Sequence, residues 1–329
     1  MTYQILGIGA ALVDTELRIS DEDLQNLKIQ KGLMTLCDED QQAHYLRYLR
    51  EHIDSAHRAC GGSAANSMIA SSQLGCRVHM TCRVADDEDG EFFLGDLRKA
   101  GVDHNTNAQK LEGTTGKCLV MVTPDAERTM NTALGMSANL GPDNIHTEVI
   151  PDADYLYIEG YLATSETGKA AAIEMRKKAQ RSDTKISLSL SDPGIVEFFK
   201  SQLREMLGDK IDLIFCNEAE ALKWTNCSSL KAAAETLKQD ALAFAITRGP
   251  QGALLFDGKE FSEVISPKVK AVDTNGAGDM FAGTFLAAIC QGKSFTEAGS
   301  LACEGAAMVV GKMGPRLTSE GYQALKTRF

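Results

Sequence analysis

The sequence predicts an α/β fold: a mainly parallel sheet covered by helices on both faces, with a small β lid. Three observations predict it. Apolar, strand-like runs alternate with helical segments of about 10–20 residues, most cleanly in the second half, and this alternation is the pattern of strand–helix–strand units. Hydrophobic residues make up 43% of 329, ample for the core of one large domain spanning 1–329. Two less regular segments, 15–50 and 110–135, break the alternation and are read as the lid.

The elements follow in order. "YQILGIGA" is a first strand ending in small residues, with Asp14 shortly after it. Residues 20–58 are polar, with helical spacing in "DEDQQAHYLRYLREHI". The glycine pair in "RACGGSAANSMIASSQLG" breaks the chain, and a helix runs over 64–73. "RVHMTCRVA" is a strand and "GEFFLGDLRKAG" a helix. "GKCLVMVTP" and "RTMNTAL" form a hairpin around Pro124–Asp125. "DYLYIEG" is a strand, 163–181 a helix, "KISLSLSD" a strand and 194–207 a helix. "DLIFCNEAEALKW" passes from strand to helix; a helix over 229–239, the strand "AFAITRG" and the hairpin "GALLFDGKEF" come next. Helices near 278–291, 294–311 and 318–327 close the chain. Such sheets place ligands at the carboxyl ends of their strands.

Composition excludes several function classes. The formal net charge of −11 argues against a non-specific nucleic-acid surface. Nine cysteines, an odd number without a CxxC pair, predict a reducing cytoplasmic setting without a disulfide framework or zinc knuckle. "MTYQILGIGA" lacks the basic region of a signal peptide, and no 18-residue uncharged apolar stretch predicts a membrane span. In that setting the glycosylation pattern at Asn226–Ser228 is read as chance.

The glycines narrow the chemistry. "GIGAAL" at 7–12 begins like a dinucleotide fingerprint, but Leu12 stands where the third glycine belongs. No GxxxxGK[ST] occurs, so a classical P-loop is excluded. "DTNGAGD" offers another cradle: the amides of Gly276, Ala277 and Gly278 open a helix, where unpaired N–H groups and the dipole favour phosphate. Asp279 beside them is either a helix cap or a base that accepts a hydroxyl proton. "CGGSAANS" places Gly61 and Gly62 before a helix, as a hinge or a close backbone approach. Asn66 just beyond is a cap or a two-way partner for a polyol.

The two motifs together resemble the signatures of the PfkB, or ribokinase-like, family of carbohydrate and nucleoside kinases. "GGSAANSMIASSQLG" is similar to its N-terminal signature and "DTNGAGDMFAGTFL" to its C-terminal one, and the resemblance covers almost the whole chain. It implies a ribokinase-like α/β core with a β lid, and transfer of phosphate from ATP to an alcohol. By that resemblance Asp279 is the catalytic base, and Gly276, Ala277 and Gly278 form the anion hole, with Thr274 shaping it. Asp14, Gly61, Gly62 and Asn66 grip the acceptor's hydroxyls. "CNEAE" resembles the element in which Asn217 and Glu220 organise Mg²⁺ and its waters; the open alternative is a pair of surface groups. "TRGPQG" places Thr247, Gly249 and Gly252 near ATP, and "GAAMVVGKMG", with Met308, flanks the adenine. A monovalent cation such as K⁺ is implied behind the anion hole. Two departures stand out: Ala85 replaces a glycine before Asp86 and Asp87, and Pro315 and Arg316 end a segment that is small-residue in the family.

The acceptor is read as a nucleoside, adenosine first, phosphorylated on its 5′-hydroxyl. "ERTMNTALG" and Asn275 resemble adenosine-kinase-like members, and "YIEGYL", with Glu159 and Tyr161, is compatible with that subgroup. Tyr161, Met130 and Leu134 are candidates for an apolar base slot. Arg128 is a candidate for a substrate carboxylate or an ion pair within the lid. A sugar kinase of the ribokinase, fructokinase or ketodeoxygluconate type is the alternative, and a non-catalytic nucleotide-binding regulator the remote one. Monomer and homodimer both stay open.

Overall fold

The computed structural model describes residues 2–53, 56–104, 112–125 and 127–329. Within the expected lid segment 110–135, residues 110, 111 and 126 lie outside this set. Fourteen strands among the described residues build two sheets: β1 (Ile5–Ile8), β2 (Leu12–Arg18), β3 (Met34–Leu36), β4 (His57–Gly61), β5 (Val78–Thr81), β6 (Val102–His104), β7 (Gly116–Val122), β8 (Arg128–Ala133), β9 (Tyr155–Glu159), β10 (Lys185–Ser189), β11 (Ile211–Asn217), β12 (Ala241–Thr247), β13 (Ala253–Phe256) and β14 (Phe261–Val264).

The larger sheet has the order β14-β13-β12-β11-β10-β9-β1-β5-β6. Its strands are parallel from β6 through β12, and β13 and β14 add an antiparallel edge. The central strands are buried along their whole length, as a sheet covered on both faces requires. Alternation along β1 divides the core. Ile5 joins the cluster under helices Ser63–Gln73, Ala277–Cys290 and Phe295–Val310; Leu6 and Ile8 join the cluster under Glu166–Ala179, Lys200–Leu207 and Glu218–Thr225.

The smaller sheet has the order β3-β8-β7-β2-β4 and draws on both halves of the N-terminal region. The chain leaves β1, turns through Gly9–Ala11 and enters β2 directly, so β2 belongs to a different sheet from the strand before it. β2, β3, β4 and β6 are strands that the sequence reading did not place, and the helix expected over 194–207 is two, Pro193–Phe198 and Lys200–Leu207, broken where Phe199 takes φ −123°.

One helix contact sets up the site. A Cβ at Gly283 would run into the Ser67 carbonyl oxygen, so the helices Ser63–Gln73 and Ala277–Cys290 meet backbone to backbone. Ser67 Oγ donates to the Asp279 carbonyl at 3.1 Å, and Ser71 Oγ to the Gly283 carbonyl at 2.9 Å. Small residues on both helices permit this approach. No helix among the described residues is long and apolar enough to cross a membrane.

Candidate active site

A cavity of about 900 Å³ lies between the carboxyl ends of the larger sheet's strands and one face of the smaller sheet. Gly276, Ala277 and Gly278 line it at the start of helix Ala277–Cys290. Gly276 has φ +73°, and a Cβ there would strike the Pro315 carbonyl oxygen, so the turn demands glycine. Nothing lies within 4 Å of a Cβ position at Gly278, which leaves its backbone open to the cavity.

Asp279 follows in the first helical turn. Its carboxylate accepts from Ser63 Oγ at 2.6 Å and from Asn66 Nδ2 at 2.9 Å. Both donors stand on the helix that Gly283 brings close. Burial pushes the Asp279 carboxyl above the ordinary aspartate range, and these two hydrogen bonds work against that rise. Asn66 Oδ1 is buried without a hydrogen-bond partner and belongs to a cavity-lining residue.

Asp14 reaches the cavity from β2 and is buried. Burial first, then the neighbouring Glu16 charge, raises its carboxyl to about 8. Gly61 does not line the cavity; any Cβ there would collide with the Asp14 carboxylate, so this glycine makes room for the acid. Gly62 does line it, at φ +89°. Glu159 lines the cavity too, but its oxygens accept from the Ala64 amide at 2.7 Å and the Ala10 amide at 3.2 Å. The carboxylate therefore satisfies the start of helix Ser63–Gln73, and burial raises it to about 7. Tyr161 lines the cavity as well.

Asn217 and Glu220 form a capping box on helix Glu218–Thr225, with Asn217 Nδ2 donating to Glu220 Oε1 at 2.6 Å and the Glu220 amide to Asn217 Oδ1 at 2.8 Å. Both line the cavity and Glu220 is buried, so the surface-group alternative fails. Burial, with Asp192 nearby, raises Glu220 to about 8. Two buried carboxyls beside one cavity are hard oxygen donors of the kind that suits a hydrated Mg²⁺. Thr247, Gly249 and Gly252 line the same end. Arg248 turns outward to Glu263 at 3.2 Å. Met308 stands off the cavity, whereas Cys303, Ala306, Ala307 and Val310 from the same segment line it.

Thr274 lines the cavity beside Asn275, and a polar chain backs them. Arg128 donates to Asn275 Oδ1, and Asn275 Nδ2 donates to Glu16 Oε1 at 2.9 Å. Arg128 thus reaches out of its own sheet to the glycine loop, while its charge opposes the rise that burial imposes on Asp14 and Glu16. Asp273 accepts from the amides of Asn275 and Gly314, both at 2.9 Å. Glu16 Oε2 is buried, makes no hydrogen bond and faces His57 Nδ1 at 3.5 Å. These oxygens are compatible with a monovalent cation behind the glycine loop. The substituted loop at Ala85 lies off the cavity: Asp87 caps helix Glu88–Lys99 and accepts from the Thr115 amide at 2.8 Å.

Ser63, Glu16 and Asp192 were not among the residues read from sequence, and Asn275 was read only as a mark of resemblance, not as a site residue. Ser63 alone carried a local signal, as a hydroxyl directly after the glycine pair.

Similarity to known proteins agrees with this geometry. The pattern of the pfkB family carbohydrate kinases matches residues 33–320. The chain is 26% identical to adenosine kinase of Schizophyllum commune, over 98% of this chain and 99% of that one. It is 28% identical to probable fructokinase-3 of Arabidopsis thaliana, over 73% and 72%. Among solved structures it resembles the adenosine kinase of Sinorhizobium meliloti (32% identity, TM-score 0.93, 99% of both chains) and a probable sugar kinase of Rhizobium etli CFN 42 (31%, 0.92, 99% of both). The fold is ribokinase-like, and the protein belongs to the pfkB family of carbohydrate kinases.

Proposed function

We propose that the protein transfers the γ-phosphoryl group of ATP to the 5′-hydroxyl of a nucleoside, with adenosine the first candidate. The observation that carries this reading is the mixed lining of the cavity. Asp14, Asn66 and Asp279 supply polar groups suited to ribose hydroxyls. Leu12, Met34, Leu36, Met130 and Leu134, from the smaller sheet and its exit, supply an apolar wall. A free sugar has no group to cover such a wall, whereas a purine does. Leu36, which lines the cavity, is 42% exposed, and a base against it would remove that surface from water.

The acceptor hydroxyl lies between Asp279 and the γ-phosphorus. Its oxygen bonds to phosphorus as the bond from phosphorus to the β–γ bridging oxygen breaks and ADP leaves. Asp279 takes the hydroxyl proton late in that step. Amides at 276–278 face the charge on the transferring group. Ser63 and Asn66 hold the base in line, and Asn66 Oδ1 is free to accept from the acceptor. Mg²⁺, when bound, neutralises phosphate oxygens, and Asn217, Glu220 and Asp192 are the groups placed to hold its waters. The smaller sheet acts as a lid that excludes water. A K⁺ requirement is part of the same reading.

ADP release with Mg·ATP and K⁺ tests the assignment against adenosine, inosine, guanosine, ribose, fructose and ketodeoxygluconate. Saturable turnover on a nucleoside with a 5′-monophosphate product supports it. Turnover confined to a free sugar overturns the nucleoside assignment and keeps the kinase.

A further inference from the structure

Arg316 is a nearly buried cation on the segment behind the glycine loop, and its surroundings give it a use. Its side chain is only 15% exposed. Nη1 donates to Asp96 Oδ2 at 2.6 Å, on helix Glu88–Lys99. Nη2 donates to the Cys60 carbonyl, on β4, immediately before the Gly61–Gly62 pair. Its own backbone continues from Pro315, whose carbonyl oxygen and Cα pack against Gly276. The same segment is tied to the glycine loop twice more: the Gly314 amide donates to Asp273 Oδ2 at 2.9 Å, and the Val272 amide to the Val310 carbonyl at 2.9 Å. One guanidinium therefore joins three parts of the molecule that lie far apart in sequence.

We propose that Arg316 is a positioning residue that locks the Gly61–Gly62 turn of the smaller sheet to the Gly276–Gly278 loop, so that seating the acceptor and forming the anion site become one event. The planar fork is suited to this task. It makes two directed bonds at once, to a carboxylate and to a carbonyl, and holds both at fixed separation. A lysine offers a single compact ammonium and cannot hold both in that geometry. Asp96 anchors the fork to the body of the larger domain core, so movement of the Cys60 carbonyl is transmitted to the segment behind Gly276 rather than absorbed by a swinging side chain. Arg316 also lies close enough to Asp14 and Asp279 for its charge to oppose the rise that burial imposes on both carboxyls.

The inference rests on the kinase reading but not on the identity of the acceptor. Its test therefore has one readout without substrate. Amide hydrogen exchange in Arg316→Lys is expected to rise in peptides covering 60–66 and 273–279 together, several-fold, with helix Glu166–Ala179 on the opposite face unchanged. With adenosine as acceptor, Arg316→Met is expected to lower kcat and raise the acceptor KM, each about tenfold, with the ATP KM within about twofold, and Arg316→Lys to recover part of both. Exchange that rises in only one of the two segments, or uniformly across the protein, overturns the coupling. Wild-type kcat and KM in a folded Arg316→Met overturn it as well. If Arg316→Met does not fold, the Lys variant alone decides by the same exchange criterion. Absence of turnover on adenosine in the unaltered protein, with the paired exchange response intact, contradicts the nucleoside reading and leaves this inference standing.

Discussion

Asn66 Nδ2 donates to Asp279 Oδ2 at 2.9 Å across two helices whose backbones touch at Gly283. The contact joins the two glycine motifs into one site: the helix after the first pair carries the donor, and the helix after the second carries the acid.

Asn66→Ala removes the donor to Asp279 and the free Oδ1 acceptor in the cavity. We expect kcat to fall and the acceptor KM to rise, by about 10–100-fold in kcat/KM, since a hydrogen bond to a charged group contributes about 1.5–3 kcal/mol. Steady-state kinetics with ATP saturating measures it. An effect on the ATP KM alone would place Asn66 elsewhere.

The pH profile follows from the direction of the Asp279 shift. Burial raises its carboxyl, and a base must be ionised to work, so turnover is lost as pH falls through that raised value. Ser63 and Asn66 hold it down. Ser63→Ala is therefore expected to move the acidic limb of kcat to higher pH. A shift to lower pH would mean that the limb belongs to another group.

Asp14 offers a stability test with the opposite sign from its function. Its folded-state carboxyl titrates at about 8, above its value of 3.8 when unperturbed. The folded state thus holds the proton more tightly. That contribution is complete below the unfolded pKa and is lost as pH rises through about 8. Asp14→Asn is expected to stabilise the protein near pH 8, by about 2 kcal/mol after allowance for local relaxation, while weakening acceptor binding. Thermal melts at pH 6 and pH 9 should show the gain growing with pH. A loss of stability at pH 9 would show that the buried charge is better solvated than its surroundings indicate.

Gly276→Ala places a methyl group against the Pro315 carbonyl at φ +73°. We expect a stability loss of about 1–3 kcal/mol and a fall in kcat, because relief of the clash must move the loop. A variant with normal Tm and turnover would show that the loop tolerates displacement.

The parts of the site that were legible in sequence are those built locally. The loop 276–279 is a contiguous turn whose residue types announce its backbone, and the Asn217–Glu220 box spans a single helical turn. The hidden parts arise from long-range packing. β2 carries Asp14 and Glu16, two acids that are buried, so its pattern does not read as a half-buried strand. β4, "HRACG", is short and polar at its start, and its identity as a strand comes from pairing with β2. Asn275 meets Glu16 and Arg128 only because the smaller sheet folds over the glycine loop. Met308 is read from the sequence as flanking adenine, but along an Ala- and Gly-rich helix the facing register has no local signature, and it is Ala307 and Val310 that line the cavity.

The most direct test of the account is turnover by Asp279→Asn compared with its affinity for ATP. The variant keeps the size of the side chain and removes its negative charge and its capacity to take a proton. A fall in kcat of about 10²–10⁴-fold is expected, with the ATP dissociation constant within about twofold of the unaltered protein. Turnover within a few-fold of the original would contradict the assignment of Asp279 as the base and, with it, the mechanism built on this site.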